Sequence, residues 1–436
     1  MKVALLASAA LALMFIAAPV AAQLVALVGG TIAIGDGSPP IPGGTVVFRD
    51  GRVVAAGAAV PVPAGATVID AHGKWVAAGI VAGPSNLGLS DADGIEESND
   101  TSADKSPFAA SIDIAPAINP DSVLMGIERA GGITRALVSP GAGKSIFAGQ
   151  GAVITLGLGD PPVMRARAFQ YVELGEDGAQ NAGGSRPAAY AMFHDALTEA
   201  QDYRRNPAGF GGRERDSLIK RGDAAALLSV IDGRMPLLVH VERASDILSV
   251  LALTRDYPQL KLVLVGASEG WMVARQIAAA HVPVIAAALA DLPEQFERLA
   301  ATESNVGRMI QAGIPVSLST VDASAPAQQR NLTQFAGNLV AIGKVPGATG
   351  LDWGHAFATI TSASARALGM DGEIGSLRPG RRADVVLWDG DPLELASAPV
   401  AVYIDGKPQP MRTRQTELRD RYMTPAEGNL PKAYQR

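Results

Sequence analysis

Few side chains in this sequence combine a reactive type with a telling position. His240 closes the apolar run Leu237-Leu238-Val239-His240, which fits a buried strand, so its imidazole falls at a strand end, where it can serve as base, acid or metal ligand. A lone histidine there can equally do no more than bond a neighbour. Gly266-Ala267-Ser268-Glu269-Gly270 follows an apolar run and precedes a helical stretch, the setting of a strained nucleophile turn, and Asp322 and His355 follow in triad order. Ser268 is thereby a candidate nucleophile, although no glycine-rich oxyanion segment accompanies it and its flanks already read as ordinary strand and helix. Ser185-Arg186 opens the helical stretch from Pro187 to Arg204. Arg186 can grip a substrate carboxylate with its planar fork, or stay solvated while Ser185 caps the helix. Asp91, Asp93, Glu96, Glu97 and Asp100 crowd one loop without the spacing of an EF-hand, which reads as a solvated acidic loop or a rim for a hard cation or an amine. Gly141-Ala142-Gly143-Lys144-Ser145 is the end of a phosphate loop without its beginning, because Val138 stands where the first glycine is needed.

The elements that must position these groups are legible from periodicity. Leu24 to Val76 carries short apolar runs separated by Asp36-Gly37 and Asp50-Gly51, a pattern that predicts a small antiparallel sheet. From Trp75 to Gly369 helical stretches (Val123 to Ala130, Pro187 to Arg204, Ala244 to Thr254, Gly270 to Ala280) alternate with buried runs (Ile133 to Val138, Leu237 to Val241, Leu260 to Val265, Val282 to Ala286, Ile314 to Leu318). Such alternation over roughly 290 residues predicts parallel strands with crossover helices closed into a barrel. Ala383 to Trp388 and Val400 to Ile404 return to strand character and are expected to complete the first sheet, and a surface helix over Arg412 to Tyr422 and a loose tail follow. With 436 residues, 48% of them apolar, the core can be large, and no disulfide supports it because there is no cysteine. A net charge of -6 with scattered Lys and Arg argues against nucleic acid as a partner. Residues 1–22 have the basic start, apolar stretch and small-residue end of a cleavable export signal, so a periplasmic or secreted chain without a stable membrane span is expected.

The stretch Val68-Ile69-Asp70-Ala71-His72-Gly73-Lys74-Trp75-Val76-Ala77-Ala78-Gly79-Ile80 resembles the sandwich-to-barrel junction of the amidohydrolase superfamily, most nearly its imidazolonepropionase-like and dipeptidase-like branch. Thr359 to Gly369 and Ile374 to Trp388 are similar to the family's return to the sandwich. The resemblance implies an α/β fold with a (β/α)8 TIM-like barrel (77–373) and a small β-sandwich made by both chain ends (23–76 and 374–411), with the helix and tail at 412–436. It also implies a hydrolase of non-peptide carbon–nitrogen bonds, with one or two divalent metals, zinc above all, at the barrel mouth. The family's first-strand His-x-His falls on Pro84-Ser85-Asn86, its sixth-strand histidine on Gly266, and its bridging lysine finds no counterpart in Ala152-Val153-Ile154-Thr155. His240 is the one retained ligand position, and Asp322 lies one residue beyond the eighth-strand aspartate. A catalytic zinc wants about three protein ligands. The expectation is therefore a metal-poor, weakened or repurposed hydrolase, with His240 and Asp322 as catalytic candidates and Asn86 and Arg186 as substrate-binding ones. A module that only binds a small molecule or a protein is the competing class, hydrolysis through Ser268 is a lesser one, and a homo- or hetero-oligomer stays open. His72 lies before the barrel, and His194, His281 and His355 fall on or beside helical stretches, where surface or capping roles are expected.

Overall fold

Both ends of the chain build one sheet. In a computed structural model that describes residues 24–91, 95–210, 217–288, 290–320 and 328–423, β1 (Leu24–Ala33) pairs antiparallel with β2 (Ile41–Arg49), and β2 with β3 (Arg52–Gly57). The export-signal segment, Asp93, Asp322 and the tail beyond Met423 lie outside the described residues. β4 (Thr67–Asp70) and β5 (Trp75–Ala78) run parallel to β1, along Val25–Val28 and Thr31–Ala33 respectively. The sheet is thus mixed where a purely antiparallel one was expected, because the segment after β3 carries the chain across to the far edge of β1 instead of turning back in a hairpin. β14 (Val385–Trp388), β15 (Pro399–Ile404) and β16 (Lys407–Pro408) then extend it antiparallel from β5.

The second sheet has eight strands in chain order: β6 (Ile80–Ser85), β7 (Ile133–Val138), β8 (Phe147–Thr155), β9 (Val163–Glu173), β10 (Leu237–Val241), β11 (Leu262–Gly266), β12 (Val284–Ala287) and β13 (Val316–Ser319). It curls until its outer strands meet: Ser319 Oγ donates to the Pro84 carbonyl at 3.4 Å, and a Cβ on Gly83 would lie 2.9 Å from that of Ser319. Helices pack around this nearly closed barrel. One strand departs from uniform βα repetition. β8 is antiparallel to both β7 and β9, since the loops on either side are short and hold no helix, and a parallel neighbour needs a crossover of a dozen or more residues. β9 itself is missing from the sequence reading because its first half, Met164-Arg165-Ala166-Arg167, is charged and largely solvent-facing, which hides the buried second half.

The barrel interior is filled by side chains such as Val81, Leu137, Val153, Phe169, Leu238 and Ile285. Phe169 occupies the space above Gly151, where a Cβ would come within 2.1 Å of its ring, so glycine is required there by the packing. Barrel and end sheet are joined by a buried charge. Arg135 of β7, 1% exposed, donates from Nε and Nη2 to the two carboxylate oxygens of Asp384, each at 2.7 Å, and Nη2 also reaches Asp405 Oδ2 at 2.9 Å. Burial opposes the Arg135 charge, yet Asp384 and Asp405 outweigh it and hold the guanidinium fully protonated. Burial likewise works against the Asp405 carboxylate, but Arg135 and Arg382 keep it below its ordinary range.

Removing one member of such a group strands the others without water, at a cost of about 3–5 kcal/mol. Arg135→Met is expected to lower unfolding stability by that amount in urea titration. A carboxylate held below its ordinary value contributes stability above that value and loses it as pH falls through the depressed one. In Arg135→Met that acid-labile contribution is reduced, so the stability deficit relative to the parent should be largest near neutral pH and shrink as pH falls, which unfolding curves between about pH 3 and 6 would register.

Candidate active site

The C-terminal ends of β9 to β13 surround a polar mouth, as in barrels whose loops at this end carry the chemistry. His240 lies on β10 with Leu238, whose side chain belongs to the barrel interior, so the two-residue alternation of a strand also turns His240 inward. Its Nδ1 lies 2.6 Å from Glu173 Oε2 at the end of β9, and its Nε2 lies 2.9 Å from Glu242 Oε1 just past β10. Both acceptors are carboxylates, which only an imidazolium, donating from both nitrogens, satisfies at once. Burial alone would push the His240 pKa down, but Glu173 dominates with help from Glu242 and holds it well above the ordinary range.

Glu242 is fully buried and each oxygen is used: Oε1 accepts from His240 and from Arg298 Nη2 at 3.1 Å, and Oε2 from the Ser268 backbone N–H at 2.8 Å. Burial would raise this carboxyl, and His240 and Arg298 bring it below its usual value. The network continues outward. Glu297 accepts from the Glu176 backbone N–H at 2.7 Å and from Arg186 Nη2 at 3.0 Å, while Arg186 Nε donates to Asp246 at 2.7 Å. Beside Arg298 opens a cavity of about 450 Å³, lined also by Ala287, Asp291, Leu292, Ser319 and Phe335.

Several sequence expectations meet a different arrangement. Arg186, read as a grip for a substrate carboxylate or as a solvated residue, has Asp246, Glu297 and, at 3.7 Å, Glu176 as its partners. Ser185 does cap the helix Arg186–Arg205, accepting from the Ala188 N–H at 3.4 Å. The Ser268 triad is not assembled. Ser268 Oγ is buried without a hydrogen-bond partner, while His355 bonds Asp352 and lies by Gly37 of the end sheet. Asn86 follows β6 with its amide oxygen buried and unpartnered, and Ser85 Oγ donates to the Leu137 carbonyl. His72 bonds Asp70, His194 lies against the Phe193 and Tyr257 rings, and His281 ends a helix.

A catalytic zinc does not fit these residues. A ligating imidazole must offer a lone pair, and both His240 nitrogens face carboxylates. The first-strand positions hold proline and an amide, and at the sixth-strand position a Cβ on Gly266 would come within 2.2 Å of Glu242 Oε1. Among the described residues no three His, Asp or Glu side chains converge as a metal site. The groups absent from the sequence reading are the carboxylates Glu173 and Glu242 with Arg298. Glu242 was within reach, since it follows His240 by two residues and so shares its side of the strand.

Comparison with known proteins places this α/β barrel among amidohydrolases. The amidohydrolase family's sequence profile matches residues 262–409, from β11 to the end of the closing sheet. A 5-methylthioadenosine/S-adenosylhomocysteine deaminase of Desulforudis audaxviator is 35% identical over 98 residues, 22% of this chain and 23% of that protein. An imidazolonepropionase of Maricaulis maris is 28% identical over 204 residues, 47% of this chain and 46% of that protein. The matched stretches thus span less than half of each relative. An amidohydrolase structure from Thermotoga maritima superposes with a TM-score of 0.78 at 21% identity, covering 89% of this chain and 100% of that one. The chain has the amidohydrolase fold, and its resemblance to amidohydrolases runs through sequence as well as structure.

The mouth also dictates what Gly266 tolerates. Its φ of +85° and the 2.2 Å approach to Glu242 both penalise a side chain. Gly266→Ala should cost about 2–4 kcal/mol in chemical denaturation, against near neutrality for Gly372→Ala, which has open space around it.

Proposed function

We propose that this protein is an exported relative of the hydrolases of non-peptide carbon–nitrogen bonds whose barrel mouth binds a small molecule without the metal-dependent hydrolysis of its kin. The observation that carries this reading is the engagement of both His240 ring nitrogens by Glu173 and Glu242. A protonated imidazole between two carboxylates supplies the positive charge that a metal would bring to such a mouth, but it offers neither an open coordination position nor a lone pair for a water proton. Arg298, on Glu242 and at the wall of the adjoining cavity, is the group placed to meet a polar ligand. The fold belonging to this reading is a (β/α)8-type barrel with one reversed strand and a sandwich-like sheet from the chain ends.

Elemental mass spectrometry on protein incubated with excess zinc and then desalted tests the reading directly. We expect less than about a tenth of an equivalent of metal, and no gain in amide or cyclic-amide hydrolysis on adding zinc. Near-stoichiometric zinc with zinc-dependent turnover would overturn it. His240→Ala gives a second readout. If His240 is a structural cation, its loss leaves Glu173 and Glu242 facing each other and lowers stability by about 3–5 kcal/mol. A variant of unchanged or raised stability that has lost a measurable hydrolysis would make His240 a catalytic residue after all.

A further inference from the structure

At the opposite, N-terminal end of the barrel the chain builds a second cleft, of about 660 Å³, where β9 to β12 begin. That volume falls within the range of small-molecule sites. Its charged lining consists of Arg165, Arg167, Arg234, Lys261, His281 and Arg366, with no carboxylate among the lining residues, in a protein whose net charge is -6. Asp113, Asp232 and Asp371 approach Arg167, Arg234 and Arg366 from outside the cleft, Asp113 taking only the Nε of Arg167. Arg165 and Lys261 have no acidic partner among the described residues.

Backbone conformation supplies an independent observation. The helices Val123–Ala130, Arg221–Ile231 and Asn305–Gln311 each end in a left-handed residue whose N–H donates to the carbonyl three residues back, and at that position the chain uses Gly132 (φ +93°), Gly233 (φ +65°) and Gly313 (φ +85°). The helix Ala274–Ala279 ends in the same way, with the N–H of its left-handed residue bonded to the Ala278 carbonyl, but that residue is His281 (φ +53°). A side chain there is unfavourable relative to glycine. Arg167, at φ +50°, is a second strained residue on the same cleft. Strain of this kind persists where a side chain is needed at one place, and here it sets an imidazole and a guanidinium on a cleft already lined by cations.

We infer that this cleft is a binding site for a small anion carrying two or more phosphate groups. Four guanidiniums and an ammonium call for a ligand of several charges, and the guanidinium fork matches phosphate oxygens two at a time. The site is separate from the barrel mouth and does not depend on how the mouth is used.

Calorimetric titration of the full chain with inorganic pyrophosphate tests the assignment, run beside Arg165→Gln/Lys261→Gln, His281→Gly and, as a control at a remote surface position, Arg412→Gln. The expected result is one saturable site per chain, weakened at least about tenfold in the double variant and unchanged in the control. His281→Gly should weaken binding about threefold while raising Tm by roughly 1–2 °C, because it relieves the left-handed side chain. General destabilisation would instead lower affinity and Tm together. Absence of saturable heat, equal affinity in all variants, or citrate binding as tightly as pyrophosphate would overturn the assignment.

Discussion

Arg135 is where the two halves of this protein become one structure. Its guanidinium, removed from water on a barrel strand, is tolerable only because Asp384 and Asp405 arrive from the other sheet to meet it. Those two residues flank β14 and β15, so the closing strands cannot dock out of register without stranding a buried charge. The C-terminal strands then lie against β5, and β5 leads directly into β6, the first barrel strand. A single desolvated cation thereby fixes the seat of the barrel against the end sheet.

The same rule governs the mouth. His240, Glu173, Glu242 and Arg298 are all largely buried, and each has an oppositely charged neighbour. Outward of it, Glu297, Arg186 and Asp246 extend the alternation of charge to the surface. In such a chain of pairs each member helps set the position of the next. The network also sets both His240 ring nitrogens against carboxylates. At the opposite end of the barrel the balance is reversed: cations line a cleft without acidic neighbours in its wall, and the charge left over there faces outward.

Much of the architecture was legible in the residues. The runs at Ile133 to Val138 and Leu237 to Val241 and the helix at Val123 to Ala130 match the observed elements, since hydrophobic period and length are local properties of the chain. β9 and the reversal of β8 escaped because half of β9 is charged and solvent-facing, and strand direction is set by connections and not by composition. Arg186 and Ser268 illustrate the same limit at the level of sites. Each had a motif that fitted a function, and the surroundings of each come from residues far away in sequence: Asp246 and Glu297 for the one, Glu242 against the backbone N–H of the other.

The sequence by itself determined which of the expected ligand positions lack an imidazole or carboxylate, because Pro84, Asn86 and Gly266 have the same chemistry in any fold. It also determined that His240 ends a buried strand. Only the tertiary structure decided what His240 does there, since Glu173 lies 67 residues away and Arg298 meets Glu242 across 56. An imidazole's protonation and its freedom to ligate depend on the charges within a few ångströms of it, and those charges are brought together by the closing of the barrel.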